Sequence, residues 1–148
     1  MSLETTEIQD KLVDAFGEST FNFNQDAAIF SFEVAADKIT AIILFLKNDP
    51  SLRFHFLTDL CGVHYPDNVV ERQFAVVYHM HNWYENKRIK IKAFINGETP
   101  KIKTLSNIFP SSNWMERETY DFYGINFIGH PQLKRILNMD EMVSFPMR

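Results

Sequence analysis

Between Glu116 and Pro131 the chain reads ERETYDFYGINFIGHP, which crowds three carboxylates, an arginine and a histidine into sixteen positions. Clusters of this kind do chemistry. Glu118 and Asp121 are three apart and on a helix could share a metal with His130, and neighbouring carboxylates whose pKa values are pushed apart can act as acid and base. The same spacing also suits a purely structural role, because Arg117 and Asp121 are four apart, share a helix face and can pair. No glycine-rich phosphate loop and no paired histidines at metal-ligand spacing accompany the cluster, so a salt-bridge network is the better reading. Other residues raise the same choice. His79 and His81 share one face of a strand, with His64 and Cys61 the nearest further ligands, but a structural zinc takes four ligands and a polar strand face is favoured. Cys61 has no local base or oxyanion hole to make it a nucleophile and reads as a small buried hydrophobe. Trp114, Tyr120, Phe122, Tyr123 and Phe127 could stack on a flavin, a quinone or a base, though at helical spacing such a stripe is more often core. Lys134 and Arg135 could hold a phosphate, or form a rim that meets an acidic partner.

The elements that must position these residues follow from apolar period and breakers. Ile8, Leu12, Val13 and Phe16 predict a helix over 5–16, closed by Gly17. Strands are expected over 20–24 and 28–34, joined as a hairpin by a turn at 24–26. Ile39, Ile42, Ile43 and Leu46 form the buried stripe of a helix over 37–47, stopped by Asp49-Pro50. Further strands are expected over 54–63, 73–81 and 88–95, the last two as a hairpin through 85–87. In the last, Ile89, Ile91 and Ala93 face one way and Lys90 and Lys92 the other, the pattern of a half-solvated antiparallel sheet. A short helix over 105–109 breaks before Pro110. Ser111 or Ser112 can cap a helix through Tyr123, with Gly124 left-handed at its end. Phe127 lies in a short extended piece, and one or two helical turns start at Pro131. They bury Leu133, Ile136 and Leu137 and turn Lys134 and Arg135 outward. Helices and hairpins come in segregated groups, so the fold class is α+β: two layers, a mostly antiparallel mixed sheet with helices on one face.

Composition narrows the function. A chain of 148 residues suits one domain with a substantial core. The net charge of −4 and the lack of a basic block argue against nucleic acid. A single cysteine excludes an intrachain disulfide and cannot ligate an iron–sulfur cluster, which needs several thiolates. No apolar run reaches membrane-span length, and the polar, acidic N-terminus does not resemble a signal peptide. Any work at a membrane is expected to go through other chains.

The run ERETYDFYGINFIGHPQLKRIL closely resembles the signature of the C subunit of NADH-quinone oxidoreductase, respiratory complex I. That pattern is met by Glu116, Arg117, Glu118, Asp121, Gly124, Ile125, Phe127, Gly129, His130, Pro131, Leu133, Lys134, Arg135, Ile136 and Leu137. LTDLCGVHYP, FAVVYHMHN and RIKIKAFI are similar to the family's central strands, so the resemblance covers roughly 52–148. Two features depart from it. His64 stands where the family usually has Asp before Tyr-Pro. The family also continues with His-Pro-Leu-Arg-Lys-Asp and a tail, of which residues 145–148 look like the start, so the tail is expected to be missing here. The resemblance implies a single hydrophilic domain without cofactor of its own. NADH, FMN, iron–sulfur clusters and quinone would belong to partner subunits. The implied partners are other peripheral-arm subunits, above all the quinone-site subunit, and the implied location, in a bacterium, is the cytoplasmic face of the inner membrane. Glu116, Arg117, Glu118, Asp121, Gly124, Phe127, Gly129, His130, Pro131, Lys134 and Arg135 are then expected to lock the last third of the fold and present it to a partner. The equivalent subunit of a complex-I-like membrane hydrogenase, a stand-alone metal-dependent hydrolase using Glu118, Asp121 and His130, and a small-molecule module using the aromatic stripe stand as alternatives.

Overall fold

Apolar period decides the first two helices. The computed structural model describes residues 4–24 and 29–148. Helix α1 (Thr5–Phe16) buries Ile8 and Leu12, and Gly17 closes it by donating its N–H to Val13 O. Helix α2 (Ile39–Asn48) follows a short 3-10 turn and buries the expected stripe of Ile39, Ile42, Ile43 and Leu46. Strands β1 (Asn22–Asn24) and β2 (Phe30–Ala35) pair antiparallel as expected. The turn expected at 24–26 falls largely outside the described residues.

Strands β3 (Phe56–His64), β4 (Phe74–Asn82) and β5 (Lys87–Ile95) form an antiparallel meander, and β2 joins it alongside β5 in parallel. The sheet order is β1-β2-β5-β4-β3. One parallel pair in an otherwise antiparallel sheet makes it mixed, as the sequence predicts. Alternation then sorts the faces. Phe32, Val34, Val76, Tyr78, Met80, Ile89, Ile91 and Ala93 join the helices in one core, while His79, His81, Lys90 and Lys92 stay partly solvated on the other side.

The C-terminal third departs from expectation. Residues 105–109 make a single turn, in which Ile108 and Phe109 donate to Leu105 O. Helix α3 (Ser112–Tyr123) forms, but neither serine caps it through its side chain. Short strands β6 (Lys101–Lys103) and β7 (Asn126–Ile128) pair in parallel as a second sheet. Phe127 is the extended, buried residue expected, while β6 has no signal in the sequence. No helix starts at Pro131; from there the chain runs in turns and bends. Its backbone groups are taken up by side chains of α3, so a local helix has nothing to add.

Gly124 ends α3 in the left-handed region, at φ 74° and ψ 22°. A Cβ there would also lie 2.7 Å from the Phe145 ring. Gly124→Val is therefore expected to lower stability by more than about 1 kcal/mol, read as a fall in the urea midpoint. An unchanged midpoint contradicts both reasons.

Candidate functional site

Helix α3 buries polar rather than apolar side chains. Ser112, Glu116, Thr119 and Asp121 are enclosed, while Trp114 is 70% exposed. Tyr120, Phe122 and Tyr123 are half-buried. The aromatic stripe, which at helical spacing reads as core, is thus split: Phe127 is fully inside, Tyr123 packs against the core, Tyr120 and Phe122 are half-buried, and Trp114 is on the surface. Packing explains the inversion: α3 lies against β3 so closely that a Cβ on Gly62 would sit 2.8 Å from both Thr119 and Tyr123. Thr119 and the flat ring of Tyr123 face the strand there, and Gly62 leaves them the space.

Asp121 is the hub. Its Oδ2 accepts the backbone N–H groups of Ile136 (3.1 Å), Leu137 (2.8 Å) and Asn138 (2.9 Å). Its Oδ1 accepts Arg135 Nη1 at 2.9 Å and Asn138 Nδ2 at 3.0 Å. Burial alone would raise its pKa, but the bonds from Asn138, Arg135 and Leu137 outweigh it and hold the carboxyl well below the usual carboxylate range. Arg135 also donates to Asp121 O and Ser144 O. Arg117 is half-buried, but it does not pair with Asp121 as helix spacing predicts. It donates to the carbonyls of Lys134 and Arg135 at 3.1 and 3.0 Å. The guanidinium on Asp121 comes from Arg135, which is buried rather than turned outward. Lys134 is exposed as expected. Leu133 and Ile136 are half-buried, whereas Leu137, expected inside, is 65% exposed. The non-helical chain after His130 lets neighbouring residues face opposite ways, which a helix would not.

Glu116 forms a second centre. Leu105 N–H donates to its Oε2 at 2.7 Å, and the Thr104 hydroxyl donates to Oε1. Burial pushes its pKa up to about 7 despite those two bonds. His130 Nε2 lies 3.9 Å from Oε1. Gln132 N–H donates to His130 Nδ1, which leaves Nε2 to donate to Asn113 O at 3.0 Å. That turn is set by Gly129, at φ 85°. Pro131 follows it on the surface.

The metal reading does not survive this geometry. Glu118 is exposed, Asp121 is filled by Arg135 and backbone donors, and His130 belongs with Glu116. Among the described residues no three His, Cys, Asp or Glu side chains converge as a metal site. His79 and His81 lie on one polar strand face, and His81 meets Asn86. Cys61, read as buried, is exposed, because β3 is an edge strand and Cys61 points away from the core. Sequence reasoning missed Thr104, Asn138 and the Asp49 turn that holds Ser51; only the acidity and spacing of α3 hinted at partners.

Fold and signature together define a two-layer α+β domain in which buried charge fixes the C-terminal third. The chain belongs to the family of the respiratory-chain NADH dehydrogenase 30 Kd subunit, whose model matches residues 32–148. It is 38% identical over 138 residues to a C subunit of NADH-quinone oxidoreductase, the one numbered 2, from Rhizobium meliloti (strain 1021), covering 93% of this chain and 74% of that one. It is 34% identical over 148 residues to the C subunit of NADH-quinone oxidoreductase from Roseiflexus castenholzii, covering 100% and 84%. The fold is shared with a trypsin-resistant fragment of Nqo5 (TM-score 0.71, 23% identity, 85% of this chain and 99% of that one). It is also shared with a chain of the archaeal membrane-bound sulfane sulfur reductase (TM-score 0.72, 20% identity, 92% and 77%).

Two measurements check this account. Arg135→Ala leaves the Asp121 carboxylate short of its cation and is expected to cost about 3–5 kcal/mol, whereas Lys134→Ala stays within about 0.5 kcal/mol. Arg135→Glu should unfold the region by setting two carboxylates together. Equal midpoints for the two alanine variants contradict the hub. The second concerns pH. Glu116 binds its proton more tightly folded than unfolded, so its contribution to stability is fully present below about pH 4.5, its ordinary pKa, and is lost as pH rises towards 7. The loss amounts to about 3 kcal/mol. Asp121 has the opposite sign, but it acts only at lower pH, where its unfolded form takes up a proton. Glu116→Gln should flatten the stability profile between pH 5 and 7; an unaltered slope in urea melts refutes the assignment.

Proposed function

We propose that the chain is a non-catalytic assembly subunit in the peripheral arm of a proton-translocating NADH:quinone oxidoreductase. It supports electron transfer from NADH to quinone by holding the arm together beside the quinone-site subunit. NADH, FMN, iron–sulfur clusters and quinone bind to other subunits. Family membership and the names of its relatives support the complex. The observation that carries the assembly role is the segment clamped by Asp121. It is tied at 136–138 to Asp121 and at Ser144 to Arg135, yet it presents Leu137, Met139, Val143 and Met147 to solvent at 53–93% exposure. Exposed apolar residues gathered in one short segment are what a partner subunit would cover. A fixed segment also binds with less entropic loss than a loose one. Among the described residues no helix is long and apolar enough to cross a membrane. In this reading, attachment at the cytoplasmic face of a bacterial inner membrane comes through partners.

Leu137→Asp combined with Val143→Asp tests the proposal. The double variant is expected to melt within about 0.5 kcal/mol of the parent, since both side chains are exposed. Its recovery with the membrane complex should fall at least tenfold, and NADH:quinone reductase activity in membranes should fall in parallel. Normal assembly and activity would sink the reading.

A further inference from the structure

The sheet has one long open edge. β3 runs for nine residues and, among the described residues, has β4 as its only neighbour, while the opposite edge, β1, spans three described residues. Exposed edges are usually blunted by proline, lysine, bulges or a covering element. β3 carries no proline and no lysine, and its one irregularity lies between Leu57 and Asp59. The stretch from Asp59 to His64 pairs with β4 without a further shift, and its residues Asp59, Leu60, Cys61 and Gly62 border a groove shared with α3.

That groove has a volume of about 420 Å³. Strand residues of both faces line it, Asp59 and Cys61 from one and Leu60 and Gly62 from the other, so it follows the edge itself. Its far wall is α3, through Glu118, Thr119 and Phe122. Gly62 is what lets the helix lie this near the strand. A sheet edge beside a helix wall is the arrangement in which an extended peptide adds as a further strand, its backbone bonded to the edge and its side chains set against the helix. The charge of the groove selects the peptide. Asp59 and Glu118 are both exposed, and among the described residues no cation forms a salt bridge with either. Burial, then the fields of Asp59 and Glu118, push the Cys61 thiol up against the opposing field of Lys90, so both carboxylates outweigh that cation at the groove.

We infer that the open edge of β3 and the facing side of α3 form a docking groove for an extended, cationic segment of another subunit, which adds to the sheet as a sixth strand. The inference rests on the assembly role proposed above and specifies a second contact, which meets the first surface at Met147.

Cys61 is the only thiol of the chain and reports on the groove directly. Iodoacetamide alkylation of Cys61, read by mass spectrometry of this subunit, is compared between the isolated chain and the purified membrane complex. Amide hydrogen exchange over 59–64 is followed in both. The expected result is alkylation slowed at least tenfold in the complex, with matching protection of 59–64. Equal alkylation and exchange in a complex that contains the subunit overturns the groove and leaves the assembly role standing. Failure of the parent chain to co-purify overturns the assembly role instead. Asp59→Lys with Glu118→Lys tests the charge. It should leave the melting curve unchanged and lift the protection of Cys61, and it should abolish binding of the probe acetyl-Lys-Val-Lys-Val-Lys-Thr-amide to the isolated chain. If protection persists in the double variant, the segment is not cationic and the inference is wrong. If the same probe methylated at alternate backbone nitrogens binds equally well, strand addition is ruled out.

Discussion

A carboxylate at the wrong end of a helix governs the last third of this protein. Asp121 sits in the final turn of α3, where unbonded carbonyls and the helix dipole are already negative. Such a placement is stable only if donors gather there, and the rest of the chain is arranged to supply them. Arg135 returns to meet both the carboxylate and the carbonyl of Asp121. Met147 N–H reaches Phe122 O, and Arg148 reaches Tyr123 O. Three consecutive amides of 136–138 close on one carboxylate oxygen. A segment with no helix and no ladder thereby acquires a fixed path, and Phe145 settles between the two arginines, Arg135 and Arg148.

Glu116 and Asp121, five residues apart, meet opposite solutions to burial. Asp121 is matched by a cation and many donors, so its charged form is favoured. Glu116 accepts from Leu105 and Thr104 and, among the described residues, pairs with no lysine or arginine, so burial wins and its proton is held more tightly. Neighbouring carboxylates of such different acidity would pass for an acid–base pair on pKa alone. Geometry separates them, because each faces its own set of backbone groups. Glu116 ties α3 to the turn at 104–105, and Asp121 ties it to the tail. One helix thus joins two irregular segments to the sheet, and Trp114 is left on the surface while Met115 and Tyr123 pack at the edge of the core.

The periodic elements were legible from the chain alone. The stripe Ile39, Ile42, Ile43 and Leu46 and the alternation of Ile89 and Ile91 with Lys90 and Lys92 depend on local period, and local period is what a sequence carries. So does the left-handed Gly124, since a helix end followed by a reversal needs a residue without a Cβ. The signature from Glu116 to Leu137 identified the family because so many fixed positions fall in one run.

Only the tertiary structure decided which charge meets which. Spacing offered Arg117 as the partner of Asp121, because helix neighbours are all that local reasoning can see. The chain reversal after Gly129 brought Arg135 instead and turned Arg117 to backbone carbonyls. The same reversal buried Arg135 and exposed Leu137, against the reading of each as an isolated residue. Cys61 looked buried until β3 proved to be an edge, a property of strand order that no single strand encodes. Strand β6 had no signal because its three residues are ordered by β7 and the turn beyond it. Composition and period determine which elements form; long-range pairing, which depends on where the chain returns, decides what each charged residue touches.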